Sequence, residues 1–310
     1  MPQPTVPVIN YGDLVSTDPD TRNRAIAAMG LALERTGFFI LDQSPVAPEV
    51  LGRAYQTAIE FFTLPEAVKL QYQHPGQGGF SAFGSEQAKG SNRPDLKEFW
   101  HVNRVSLSHA EALWPRELPN FRPVITRLYD QLYNCAMTLL EACALYLGQA
   151  DQWLVAMARG GNTLLRLAHY PPLLANPPVG SLRAAPHEDI NLITLLCCAT
   201  APGLEILSQE GTWLPIQANP NQVVVDTGDM LQNLTNGLLK STTHRVVNPH
   251  RGTQRRLSMP FFVHPRPEVD LSPRPEFIHR TGGIPCFPAI TAGQYLQQRL
   301  EEIQVGAREG

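Results

Sequence analysis

From about Thr163 onward the chain is written in short apolar runs punctuated by turn residues, and that pattern admits few folds. Runs at 164–169, 191–198, 204–207, 223–226, 244–247 and 257–263 have the length and residue types of β-strands. Pro171-Pro172, Pro202-Gly203, Glu210-Gly211, Pro220-Asn221 and Thr227-Gly228 separate them. Many short strands with turns at such spacing predict a β-sandwich or barrel.

The first half reads differently. A short strand is expected over 6–11, then a helix capped by Asp18 or Asp20 and ending near Thr36. Phe38-Phe39-Ile40-Leu41 reads as a strand, and Pro48 opens a second helix. A long helix is expected over 121–147 with Gly148 as its cap, then a helix from Asp151 to Met157. The tail over 292–305 also has helical character. Residues 1–160 are thus expected to form a helix-rich region packing on a β core of residues 161–310, a mainly β chain with flanking helices. The stretch 74–95 holds five glycines and little periodicity, and reads either as a functional loop or as a plain surface loop.

Composition narrows the function classes. With 43% hydrophobic residues over 310 positions there is material for a substantial core. The net charge of −3 carries none of the basic footprint of a nucleic-acid binder. No run of about 18 apolar residues is present and the N-terminus lacks a signal-like apolar stretch, so no membrane span and no secretion are expected. Five cysteines, an odd number with no C-x-x-C, favour a reducing cytoplasm over a disulfide framework. The oligomeric state is not legible.

The chemistry concentrates at three places. A-P-H-E-D-I-N-L-I-T-L-L carries His187 and Asp189, K-S-T-T-H-R-V-V-N-P carries His244, and R-R-L-S-M-P-F-F carries Arg256 and Ser258. Residues two apart on a strand share a face, so His187 and Asp189 are expected to reach one metal while Glu188 points away. Two imidazoles and one carboxylate are the ligand set of non-haem Fe(II) oxygenases and leave coordination positions open for O2 and a chelating co-substrate. Zinc accepts the same donors. Arg256 offers a planar fork to a carboxylate, Ser258 lies on the same strand face, and Tyr170 adds a hydroxyl. The remaining histidines, His74, His101, His109, His169, His250, His264 and His279, read as structural, with His169 facing away from Tyr170. Phe80, Phe83, Phe99 and Trp100 are candidate walls of a substrate pocket or ordinary core aromatics, and Arg93 is a candidate substrate contact or a surface charge.

Taken together, these motifs resemble the isopenicillin N synthase-like family of 2-oxoglutarate/Fe(II)-dependent oxygenases. P-V-I-N and R-T-G-F-F-I-L near the start resemble its N-terminal region, and D-L-K-E-F-W its middle. R-L-A-H-Y-P-P, G-D-M-L-Q-N-L-T-N-G and the segments above resemble its catalytic core. The resemblance implies a double-stranded β-helix (distorted jelly roll) in which His187, Asp189 and His244 ligate Fe(II). It implies that Arg256, Ser258 and Tyr170 hold 2-oxoglutarate, which O2 converts to succinate and CO2 as a small molecule is hydroxylated or desaturated. Ala168 stands where many plant relatives carry an asparagine contact to the co-substrate. Isopenicillin N synthase itself uses Arg-x-Ser for its substrate and needs no 2-oxo acid. An oxidase of that kind, and a non-catalytic small-molecule binder, therefore remain alternatives.

Overall fold

The computed structural model describes residues 6–74, 78–87, 93–108, 113–173, 180–249 and 254–308, with side chains to residue 302. Its strands are β1 (Val8–Asn10), β2 (Phe38–Asp42), β3 (Gln73–His74), β4 (Gly78–Ser81), β5 (Glu98–Asn103), β6 (Leu164–Tyr170), β7 (Ala184–His187), β8 (Ile193–Cys197), β9 (Leu204–Leu207), β10 (Trp213–Pro215), β11 (Val223–Thr227), β12 (His244–Val246), β13 (Arg256–Ser258) and β14 (Pro260–Val263). They form two sheets. The larger runs β1-β2-β11-β8-β14-β6-β5-β4-β3 with β13 also pairing with β6, and the smaller runs β10-β9-β12-β7.

Period-2 alternation gives the large sheet two buried faces. Leu165, Leu167, Ile193, Leu195, Val223, Val225, Phe261 and Val263 join the main core beneath the helices. Their neighbours in sequence point the other way: Phe38, Ile40 and Val224 meet Leu204 and Ile206 of the small sheet, while Ala168 and Tyr170 meet Ala184 and Val246. Two sheets enclosing an interior, with helices on the outside, make this mainly β chain a double-stranded β-helix.

The helices arise from local signals. Asp18 accepts from the Thr21 amide at the head of Pro19–Arg35. Gly148, with φ 75°, closes Phe121–Tyr146 by donating its amide to the Leu145 carbonyl. These two helices approach so closely that a Cβ on Gly30 would fall 2.1 Å from the Tyr146 ring. The long helix lies on the large sheet, where the rings of Tyr129 and Phe261 meet edge to face at 5.0 Å.

Several elements differ from expectation. The first strand is shorter than 6–11, because Asn10 caps a helical turn at Tyr11–Leu14. The run over 257–263 is two strands, interrupted before Pro260, which has no amide to donate. The glycine-rich stretch is not all loop: β4 lies inside it and pairs antiparallel with β3 at its start, and its residues 75–77 and 88–92 lie outside the described residues. His109 and His250 lie outside them too. Helices Asp229–Leu234 and Pro275–Arg280 carry no signal strong enough to be expected from sequence. No helix among the described residues is long and apolar enough to cross a membrane.

Candidate active site

The interior between the sheets opens onto His187, Asp189 and His244. His187 ends β7 and His244 starts β12; the two are direct partners in the antiparallel ladder, with ring centroids 4.4 Å apart. Asp189 lies two residues beyond the end of β7, in the turn leading to β8, and not on a strand with His187 as its spacing predicts. Its Oδ1 nonetheless sits 3.8 Å from Nε2 of His187 and 3.7 Å from Nε2 of His244. One ligand atom from each residue lies within 4.8 Å of the others.

The surroundings fix these atoms. Nδ1 of His187 lies 2.7 Å from the Ala185 carbonyl and Nδ1 of His244 lies 3.2 Å from the Thr242 carbonyl. A carbonyl only accepts, so each Nδ1 carries a proton and each Nε2 is the ring nitrogen left facing Asp189. Thr194 donates to Oδ2 of Asp189 and accepts from Asn191 Nδ2 at 2.8 Å. Burial and the nearby His244 push His187 down to about 4 despite the opposing charge of Asp189, so its imidazole is neutral at pH 7.

Asp226 stands beside this group with Oδ1 buried and without a hydrogen-bond partner. Burial and the charge of Asp189 raise its carboxyl well above the usual range. Two imidazoles, a carboxylate and a second acid crowded against them form a donor set that a divalent cation would stabilise. The residues present therefore fit the metal implied by their types.

Along the same interior, Arg256 lies opposite Tyr170 in the β13–β6 register, and Ser258 lies opposite Ala168. The guanidinium stands 4.9 Å over the Tyr170 ring and is 1% exposed. It donates from Nε to the Ala201 carbonyl at 3.1 Å and from Nη1 to Ser258 Oγ at 3.1 Å. No acidic side chain among the described residues pairs with it, so the pocket brings together the three predicted carboxylate-binding side chains around an uncompensated charge.

Other candidates sort differently. Phe80 and Trp100 are core residues, 5.8 and 4.8 Å from the Phe61 ring. Phe83 is exposed on the surface, as is Arg93. Phe99 carries the Arg166 guanidinium 4.3 Å above its ring. Arg166 and Lys97 both line the pocket, and sequence reasoning misses them. Arg166 grips Glu86 through both terminal nitrogens, at 2.9 and 2.8 Å, and donates to His101 at 2.7 Å. Lys97 bridges Glu86 and Asp95, whose Oδ1 accepts from the Ala185 amide two residues before His187. Only the alternation of β6, which puts Arg166, Ala168 and Tyr170 on one face, signals that Arg166 faces inward. His169 turns to the other face, bonded to Glu98 at 2.7 Å and stacked on Phe62.

Known proteins resemble this chain over most of its length. Residues 161–265 match the family model of the 2OG-Fe(II) oxygenase superfamily. Residues 6–123 match the N-terminal model of the non-haem dioxygenases of morphine synthesis. A solved 2OG-Fe(II) oxygenase family protein from Caulobacter crescentus is 37% identical, with TM-score 0.83, covering 96% of this chain and 99% of that one. A full-length Neurospora crassa protein, solved in complex with alpha-KG, is 27% identical with TM-score 0.85, covering 96% and 95%. Proline hydroxylase buaE from Petromyces alliaceus is 28% identical, covering 94% of this chain and 97% of its own.

The chain belongs to the 2OG-Fe(II) oxygenase superfamily. It is a non-haem Fe(II) enzyme with 2-oxoglutarate as co-substrate, as its family and its likeness to these oxygenases over most of the chain show, and its His-Asp-His cluster can hold a metal ion.

Proposed function

We propose that His187, Asp189 and His244 are the iron ligands of this oxygenase. Arg256, Ser258 and Tyr170 hold the far carboxylate of 2-oxoglutarate, and the substrate is a small molecule oxidised at a C–H bond by hydroxylation or desaturation. The observation that carries this reading is the cross-strand pair His187–His244 with Asp189 Oδ1 facing both Nε2 atoms, in one pocket with an acid-free Arg256. Bound there, Fe(II) supplies the redox chemistry that couples O2 to 2-oxoglutarate decarboxylation and substrate oxidation.

The protein's own contribution is placement. The β7–β12 ladder aligns the imidazoles, and Thr194 turns Asp189 Oδ1 toward them. Arg256 and Tyr170 fix the co-substrate's reach, and the apolar walls Phe38, Leu196 and Val246 exclude water. His187 is the most open ligand, its side chain 33% exposed, which marks the side from which substrate arrives. We assign residues 1–160 the role of a helix-rich buttress for the catalytic core of residues 161–310. We place the enzyme in the cytoplasm, in keeping with its odd number of cysteines.

The test is anaerobic loading with Fe(II), then titration with 2-oxoglutarate while following the metal-to-ligand charge-transfer absorption. Screening amino acids, short peptides and small aromatic acids for coupled succinate release follows. A charge-transfer band and substrate-dependent succinate are expected. Oxygen uptake without succinate would point to an oxidase, and ligand binding without oxygen uptake to a silent binder; either overturns the proposal.

A further inference from the structure

Arg256 is not the only acid-free guanidinium set against the Tyr170 ring. Arg183, the residue before β7, is also 1% exposed. Its guanidinium carbon lies 5.8 Å from the centroid of the same Tyr170 ring that Arg256 covers at 4.9 Å. One terminal nitrogen donates to the carbonyl of Gln254, two residues before Arg256. Nε is buried with no hydrogen-bond partner. Neither arginine has an ion pair with any acidic side chain among the described residues.

Two buried like charges sharing one aromatic ring are unfavourable twice over, by desolvation and by mutual repulsion. Burial and Arg256 together lower the Arg183 guanidinium to about 10, which still leaves it charged at neutral pH. The electron-rich face of Tyr170 offsets only part of that. Among the described residues its one hydrogen bond goes to a carbonyl, which a neutral donor would serve equally, and the Tyr170 ring is its one favourable contact as a cation. Its charge acquires a purpose when an anion occupies the Arg256 end.

We propose that Arg183 is a specificity-determining positioning residue. Acting through Tyr170 and beside Arg256, it makes this end of the pocket select a 2-oxo acid that carries a second carboxylate. The inference rests on the reading that Arg256 receives the far carboxylate of the co-substrate. Arg183 itself touches the ring and not the ligand, and contributes field and ring placement.

The experiment is equilibrium binding to the Mn(II)-loaded protein of 2-oxoglutarate and of 2-oxopentanoate, which has the same chain with a methyl in place of the far carboxylate. Arg183→Gln keeps a donor for Gln254 and removes the charge, and Arg183→Met is a second neutral variant. In both, 2-oxoglutarate is expected to weaken by about tenfold or more while 2-oxopentanoate stays within about twofold. Arg183→Lys is expected to restore most of the preference. An unchanged ratio in the neutral variants, or a preference lost equally in Arg183→Lys, overturns the inference. Arg256→Ala run in parallel separates the two readings: if it too leaves the ratio unchanged, the assignment of the Arg256 end has failed as well.

Discussion

Thr194 donates its hydroxyl to Oδ2 of Asp189, and this bond decides which carboxylate oxygen faces the two imidazoles. Oδ1 is left 3.8 and 3.7 Å from the Nε2 atoms, while Thr194 is itself held by Asn191 Nδ2 at 2.8 Å. Thr194→Val keeps the shape and removes the hydroxyl, freeing Asp189 to rotate. Metal affinity is expected to fall by about 10- to 100-fold, as for other groups that orient a metal ligand. Titration with Mn(II) measures it, and wild-type affinity in the variant would reduce Thr194 to a packing residue.

Arg256→Ala removes the fork that the β13–β6 register sets opposite Tyr170. A charged hydrogen bond is worth about 1.5–3 kcal/mol, so 2-oxoglutarate should bind roughly 10- to 200-fold more weakly. The triad is untouched, so Mn(II) affinity without co-substrate should be unchanged. Parallel titrations of metal and 2-oxoglutarate check both halves; a loss of metal binding would mean the variant disturbs the fold instead.

Gly228 shows how tightly the turn carrying Asp189 is gripped from outside. A Cβ there would sit 2.2 Å from Asn191 Oδ1 and 2.3 Å from the Asn191 carbonyl. Its backbone, φ −92° and ψ 171°, suits any residue, so the demand for glycine is steric alone. Gly228→Ala must displace Asn191 and the turn between β7 and β8 that carries it. It is expected to destabilise by about 1–3 kcal/mol and to weaken metal binding together. Urea unfolding and metal titration read the two; loss of stability with intact metal affinity would show that the turn yields elsewhere.

Alternation on short strands puts Arg256 with Ser258, and Tyr170 with Ala168, on shared faces, while His187, Asp189 and His244 stand out by residue type and motif, since Asp189 lies in the turn beyond β7 and not on its strand. β9 reads with its bounds intact, since its apolar run is flanked by Pro202-Gly203 and Glu210-Gly211. What stays hidden depends on contacts between distant segments. β7 is Ala-Ala-Pro-His, a poor strand by propensity, and exists because β12 pairs with it and Asp95 holds the Ala185 amide. The burial of Lys97 and Arg183 has no local mark, because it is decided by which strands close over them. Asp226, at the end of an apolar run, carries no local mark of its place beside Asp189.

Glu98 offers a test of what holds the large sheet to the helices in acid. Its Oε2 meets Lys69 Nζ at 2.6 Å and its Oε1 meets His169 Nδ1 at 2.7 Å, all within the core behind the pocket. Burial acts to raise the carboxyl, but hydrogen bonds from His169 and Lys69 outweigh it and hold the group below its usual range. A carboxyl depressed by folding stabilises above its unfolded value of about 4.3, and that contribution is lost as pH falls through the lower folded value. His169, lowered by burial against the pull of Glu98, acts in the same direction from a higher starting point, near its unfolded value of about 6.5. Stability should therefore decline on the acid side, first with His169 and then with Glu98. Glu98→Gln leaves Lys69 buried without its partner and should cost about 3–5 kcal/mol at pH 7. Once the wild-type carboxyl is itself protonated, the two proteins should converge. Urea unfolding at pH 7 and at successively lower pH down to about 2 measures the gap; a gap that stays constant through the whole fall would place the acid sensitivity in other groups.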